Sequence, residues 1–260
     1  MIDVLNLALP FFGLIFIGFA CGKINQIPHT ALAWMNFFIV YVALPALFYR
    51  ILPQTPLEQL VQVDFVFVTT LSTFWAFAVS FAISMSIRHG LIAESTIAGL
   101  AGGYGNIGYM GPGLALATLG TQAAVHFQPP LALDRLLQFL QNAAAPCALF
   151  TLGVTVALRP LKKMPWEVPF LTAVKLILHP VLMFLLLSLF GPFDQTWLYT
   201  AVLMAALPPA LNVFVFARQY DTWVEQASNA VLVGTLVSVM MLTSVMRMVK
   251  THTLPPHLFR

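Results

Sequence analysis

Residues Gly102-Gly103-Tyr104-Gly105-Asn106-Ile107-Gly108-Tyr109-Met110-Gly111-Pro112 lie in the middle of an apolar stretch, 93–119, that is long enough to cross a bilayer. Inside a helix each Gly costs about 1 kcal/mol and each Pro about 3 kcal/mol relative to Ala. A continuous helix is therefore poor here, and the stretch is expected to unwind near the membrane midplane. Unwinding turns backbone N–H groups, and the positive end of the following half-helix, toward an anion. Asn106 adds two side-chain donors beside them. A competing reading is close helix packing, because Gly99 with Gly103 and Ala101 with Gly105 keep a small-xxx-small spacing. Packing accounts for the glycines but for neither Asn106 nor Pro112.

The rest of the chain agrees with a membrane setting. Of 260 residues 60% are hydrophobic and only 8% charged, where soluble domains carry about 25% charge. So few charges cannot cover a soluble surface. A hydrocarbon core of roughly 30 Å needs about 20 apolar residues per helix. Eight windows qualify, at 5–22, 32–52, 65–87, 93–119, 133–158, 168–191, 196–218 and 226–249. Backbone groups in lipid have to pair within their own segment, so the fold class is all-α, a polytopic transmembrane helical bundle of about eight spans. The first window lacks a basic flank, which argues against a cleaved signal peptide.

Several functions are excluded by what these windows contain. The 12 Lys and Arg residues are scattered at span ends with no basic stripe, so nucleic acid is not a partner. Cys21 and Cys147 each sit in an apolar run and read as small core hydrophobes, with no disulfide framework or metal motif. No HExxH, Walker loop or GxSxG occurs, and Gly103 to Gly108 is followed by no Lys-Ser/Thr, so neither an enzyme nor a cofactor is indicated. Lys23, Arg88, Arg159, Lys162, Lys163 and Arg218 fall on one side, against Arg50 and Arg135 on the other. Positive charge marks the cytoplasmic side, which puts both termini outside, although the tail carries Arg247, Lys250 and Arg260.

A second interruption lies in the seventh window. Pro208-Pro209 removes two consecutive backbone donors, and Asn212 follows about one turn later; the helix is expected to end near Leu207 and restart near Pro209. The alternative is a simple kink. Leu44-Pro45-Ala46-Leu47-Phe48 also resembles Ala145-Pro146-Cys147-Ala148-Leu149-Phe150, with Pro interrupting both spans. Corresponding interrupted helices in two halves point to a transporter site. In the sixth window Lys175 and His179 are four apart and share a helix face. Titratable groups within a span are functional candidates. Against that, Lys175 lies about two turns from the cytoplasmic end and could snorkel outward, while His179 could serve only the kink at Pro180. Asp64, Glu94, Asp134, Asp194, Asp221 and Glu225 sit at span ends and read as solvated caps.

The segments Gly105–Leu114, Asn142–Gly153 and Ala206-Leu207-Pro208-Pro209-Ala210-Leu211-Asn212-Val213-Phe214 together resemble the auxin efflux carrier family of secondary transporters, in particular its bacterial, malonate-transporter-like branch. The resemblance takes in nearly the whole chain. It implies two inverted five-helix repeats with substrate held where the broken fourth helix of each crosses. Gly105, Asn106 and Pro112 match the first crossover, and Pro208, Pro209 and Asn212 the second. Family members have ten spans and this chain eight; the last helix of the first repeat and the first helix of the second are the ones without counterparts. The expected organisation is a first repeat at 1–120, an external connection at 121–132, and a second repeat with a short tail at 133–260.

The function expected from this resemblance is alternating-access transport of a small organic anion, a malonate-like or auxin-like mono- or dicarboxylate, across a bacterial inner membrane. Proton or sodium coupling and a homodimer are both compatible with it. Asn106 would bind the carboxylate, Asn212 would orient substrate or ion, and Lys175, with His179, would add a supporting charge. Since a snorkelling Lys175 offers only screened attraction, Asn106→Ala is expected to weaken binding more than Lys175→Ala. The alternative is a non-transporting relative or assembly partner of a full-length carrier.

Overall fold

A computed structural model describes residues 2–25, 28–51, 62–89, 91–107, 130–158, 165–251 and 253–255. All regular elements among these residues are helical. They are α1 (Ile2–Asn25), α2 (His29–Phe38), a π-helical turn (Ile39–Ala43), α3 (Leu44–Ile51), α4 (Val63–Ile87), α5 (Ile92–Gly103) and α6 (Leu131–Ala157). There follow α7 (Val168–Ala173), a second π-helical turn (Val174–Leu178), α8 (His179–Phe190), α9 (Gln195–Ala205), α10 (Asn212–Gln219) and α11 (Val224–Lys250).

Five helical stretches are long and apolar enough to cross a membrane: Ala31–Arg50, Val63–Ile87, Leu131–Ala157, Val168–Phe190 and Val224–Lys250. They coincide with the second, third, fifth, sixth and eighth windows. The first window is α1, whose Phe12–Asn25 part is a shorter apolar helix. The fourth and seventh windows are the interrupted ones. The chain is thus a polytopic helical membrane bundle. Helix α6 begins at Leu131, inside the stretch expected to be connection; Gln122, His126, Gln128 and the rest of 121–129 lie outside the described residues.

Prolines act differently along these spans. Pro146 sits inside α6 without ending it. Pro45 and Pro180 instead each follow a π-helical turn by two residues. A proline ring collides with the carbonyl four residues earlier, here Tyr41 and Leu176, and both carbonyls belong to the π-helical turns. The extra residue per turn moves that carbonyl off the ring while the helix continues.

The helices cluster into two compact units, one drawn from residues 1–8, 63–111 and 161–260, the other from 9–62 and 112–160. In the second unit α1 lies close against α6. A Cβ added at Gly18 would run into the carbonyl of Phe150, and one at Gly153 into the carbonyl of Ile15. Small residues let backbones approach to van der Waals range, which is how helices associate where lipid removes the hydrophobic drive. Arg50 ties α3 to the same helix through Asp134 at 3.2 Å and Gln141 at 2.7 Å.

In the first unit α5 packs on α4 by the same means. Gly99, Gly102 and Gly103 leave no room for a Cβ against Phe77, Ser80 and the carbonyl of Thr73. The close-packing reading of these glycines therefore holds, and it stops at Gly103, the last residue of the helix. Helix ends meet in register. Arg88, after α4, pairs with Glu167, at the start of α7, from Nε to Oε2 at 3.1 Å and again from Nη2. Trp223, at the start of α11, donates Nε1–H to Glu167 Oε1 at 3.1 Å. At the other end Phe65 stacks edge-on with Trp197, and Tyr199 donates its hydroxyl to the Leu254 carbonyl at 2.8 Å.

Candidate substrate site at the crossing of two interrupted helices

The site begins where α5 stops. Tyr104 takes an extended conformation, with φ −90° and ψ 101°, and the chain stays open through Gly105 and Asn106. In α9 the helix stops at Ala205, and residues 206–211 remain non-helical until α10 begins at Asn212. The restart thus falls three residues beyond the expected one, so Pro208 and Pro209 form the break itself rather than the first turn of the next half-helix.

The two breaks meet. Gly105 and Pro209 form an isolated antiparallel bridge, flanked by Asn106 N–H to the Pro208 carbonyl at 2.8 Å and Ala210 N–H to the Tyr104 carbonyl at 3.0 Å. The prolines fit because both bonds use donors other than theirs; a proline can stand only where its missing N–H is not called for. Gly105 is required by proximity, since a Cβ there would stand 3.2 Å from Lys175 Nζ and 3.3 Å from the Met204 carbonyl. From the far side, Gly234 of α11 admits the Pro209 ring, whose Cδ would lie 2.5 Å from an added Cβ.

Lys175 is the main surprise. It does not snorkel: its side chain is 0% exposed, and Nζ donates to the Ala205 carbonyl at 2.7 Å. The reason is local. The π-helical turn carries Lys175, and the partner is a carbonyl at the end of α9. A helical Ala205 carbonyl would be bonded by the N–H of residue 209, which is proline and has none. The snorkelling reading failed because it measured distance along the helix and could not see the vacant carbonyl. His179 is likewise more than a kink partner. Its Nδ1 lies 3.0 Å from Lys175 Nζ, and its Nε2 makes a long contact of 3.5 Å with Thr73 Oγ1, which donates on to the Thr69 carbonyl at 3.0 Å. With Lys175 donating to Nδ1, the ring proton belongs on Nε2.

Asn106 is 2% exposed and its Oδ1 has no partner among the described residues. Asn212 is half-buried and donates Nδ2 to the Tyr104 hydroxyl at 3.3 Å, while Tyr104 and Ile107 are exposed. The structure therefore brings Gly105, Asn106, Lys175, His179, Pro208, Pro209 and Asn212 together. Pro112, and the continuation beyond Ile107, lie outside the described residues. Glu167, 1% exposed in a polar cluster at the helix ends, was missed by sequence reasoning; its place just before a proline-led helix was the available signal. The Glu167 carboxylate hydrogen-bonded to it pushes the Arg88 guanidinium above its ordinary range.

Two interrupted helices joined by a short antiparallel bridge inside an apolar bundle, with a buried lysine beside it, are an arrangement that membrane carriers with discontinuous helices use. The chain belongs to the membrane transport protein family, whose model matches residues 3–126 and 113–246. It is 41% identical to a protein of Rhizobium meliloti (strain 1021) described as "Putative malonate transporter", across 100% of both chains. It is 30% identical to "Probable auxin efflux carrier component 1c" of Oryza sativa subsp. japonica over 44% of this chain and 19% of that one. To "Auxin efflux carrier component 1" of Arabidopsis thaliana it is 28% identical, over 44% of this chain and 18% of that one. The bacterial alignment runs over 319 positions against 260 residues here, so at least 59 positions of that relative have no counterpart in this chain.

Proposed function

We infer that this chain is a secondary carrier of the bacterial inner membrane that moves a small organic anion, a mono- or dicarboxylate of malonate size, by alternating access. The observation that carries this reading is Lys175: a fully buried amine at the helix crossing whose partners among the described residues are a carbonyl and an imidazole, neither of which balances its charge. A carboxylate would. An uncompensated charge in a membrane interior is costly, and such residues mark ion and substrate paths. Two of the three Nζ donors are taken up by Ala205 and His179, which leaves one for a ligand. Asn106, buried beside the bridge, carries in its Nδ2 a second donor of the kind a carboxylate accepts from, and Asn212 at the start of α10 frames the approach. The name of the bacterial relative agrees in substrate class. Uptake of radiolabelled malonate into proteoliposomes tests the reading: accumulation above empty liposomes is expected, with competition by small mono- and dicarboxylates. Uptake equal to that of empty liposomes for malonate and its competitors alike would overturn it.

The 59 positions without counterparts favour one second reading, a chain that binds the anion but moves it only with a full-length family member. The two family-model matches overlap at 113–126, the region where the resemblance to ten-span carriers loses two helices. Under that reading malonate binds the purified chain, yet uptake appears only on co-reconstitution.

A further inference from the structure

Pro208 and Pro209 do more than open α9. In a continuous helix the carbonyls of Met204 and Ala205 would accept from the N–H groups of residues 208 and 209, and both are proline. The break thus creates two carbonyls without helical donors at a helix C-terminus, where the backbone dipole is negative. Leu207 N–H reaches the Met204 carbonyl at 3.3 Å. The Ala205 carbonyl receives Lys175 Nζ at 2.7 Å. Nearby stand His179 Nδ1, 3.0 Å from Nζ, and Gly105, whose missing side chain leaves the amine its room. Unwound carbonyls and half-helix C-termini are where discontinuous helices hold a coupling cation.

We propose that Lys175, in its ammonium form, is a tethered cation that occupies such a position, so that the site binds its anion without an alkali cation. The charge that a sodium ion would bring to the Ala205 carbonyl is already present on the chain. Its geometry is fixed by the π-helical turn that carries Lys175 and by the prolines that expose the carbonyl. The consequence is a site whose anion affinity is indifferent to sodium. The inference rests on the carrier reading for the identity of the anion but not for the identity of the cation.

Malonate titrations of the purified chain by calorimetry, in sodium chloride and in choline chloride at equal ionic strength, test this directly. The same affinity in both salts is expected for the wild type. In Lys175→Met, which keeps the side-chain volume and loses the charge, affinity in choline is expected to fall about tenfold or more, as loss of a charge-assisted hydrogen bond does. Tighter wild-type binding in sodium than in choline, or full affinity of Lys175→Met in choline, would overturn the proposal. Should Lys175→Met not fold, the wild-type comparison decides alone. If the wild type binds no malonate in either salt, the malonate reading fails, and the melting temperature of the unliganded protein still tests the cation: no sodium-specific rise over choline is expected, and such a rise would refute a tethered occupant.

Discussion

Asn106 donates its backbone N–H to the carbonyl of Pro208 at 2.8 Å, joining a break in one membrane helix to a break in another from the opposite half of the chain. Neither break could exist alone in a membrane, where an unpaired backbone group costs several kcal/mol. Each supplies the partner that the other lacks.

Gly105 is the point at which that pairing is most sensitive. Gly105→Val would place branched carbons against Lys175 Nζ and the Met204 carbonyl, both already near 3.2–3.3 Å from a single added Cβ. Backbone cannot yield as a flexible side chain can, so a loss of about 1–3 kcal/mol is expected. Thermal unfolding in detergent, with and without malonate, should show both a lower midpoint and a smaller ligand-induced rise; an unchanged midpoint would mean that the close approach is not maintained.

The order of effect at the site reverses the one expected from sequence. Lys175 is buried at the crossing, not peripheral, so its loss should cost about 1.5–3 kcal/mol of anion binding. Asn106→Ala removes a neutral donor and should cost about 0.5–1.5 kcal/mol. Titration calorimetry of both variants in one buffer ranks them, and a weaker effect at Lys175 would return the amine to a purely structural role.

Glu167 should matter for folding and little for anion affinity. Its carboxylate is almost fully buried and holds both Arg88 and the Trp223 indole. Glu167→Ala leaves both donors without their acceptor, while Arg88 keeps only Glu94 at 3.5 Å. A loss of about 3 kcal/mol is expected, read as a lower unfolding midpoint with the malonate dissociation constant of the folded fraction unchanged. An altered dissociation constant would instead place this cluster in communication with the crossing.

Sidedness can be tested at the connection. With Cys21 and Cys147 replaced by Ala, single cysteines at Gln122 and Gln128 are expected to react with an impermeant maleimide added from outside the cell. Labelling from the cytoplasm alone, or protection from both sides, contradicts an external 121–132 connection.

Much of this was legible because helix-breaking residues in lipid have few explanations. Gly105-Asn106 and Pro208-Pro209 announced both interruptions, and the family resemblance implied that they cross; the backbone bonds by which they meet were not legible. Spans of ordinary hydropathy were equally plain, within a few residues at their ends. Lys175 was not, since its destination is a carbonyl made available by a proline 34 residues further along, and no periodicity reports a vacancy on another helix. The π-helical turns escaped for a related reason: Pro45 and Pro180 mark strain, but whether a span kinks, breaks or widens depends on what packs around it. Glu167 lay hidden among loop residues, where a carboxylate reads as solvated until its neighbours are known.

The cluster of Arg88, Glu94, Glu167 and Trp223 joins four helix ends: the close of α4, and the starts of α5, α7 and α11. Ends ordinarily fray first, and their amide hydrogens exchange with solvent long before those of the interior. Here fraying any one of the four means parting an ion pair or a hydrogen bond made to Arg88 or Glu167. Exchange at this end should therefore occur as a single cooperative event with one protection factor, while the two hydrogen bonds of the helix crossing keep their own, independent clock.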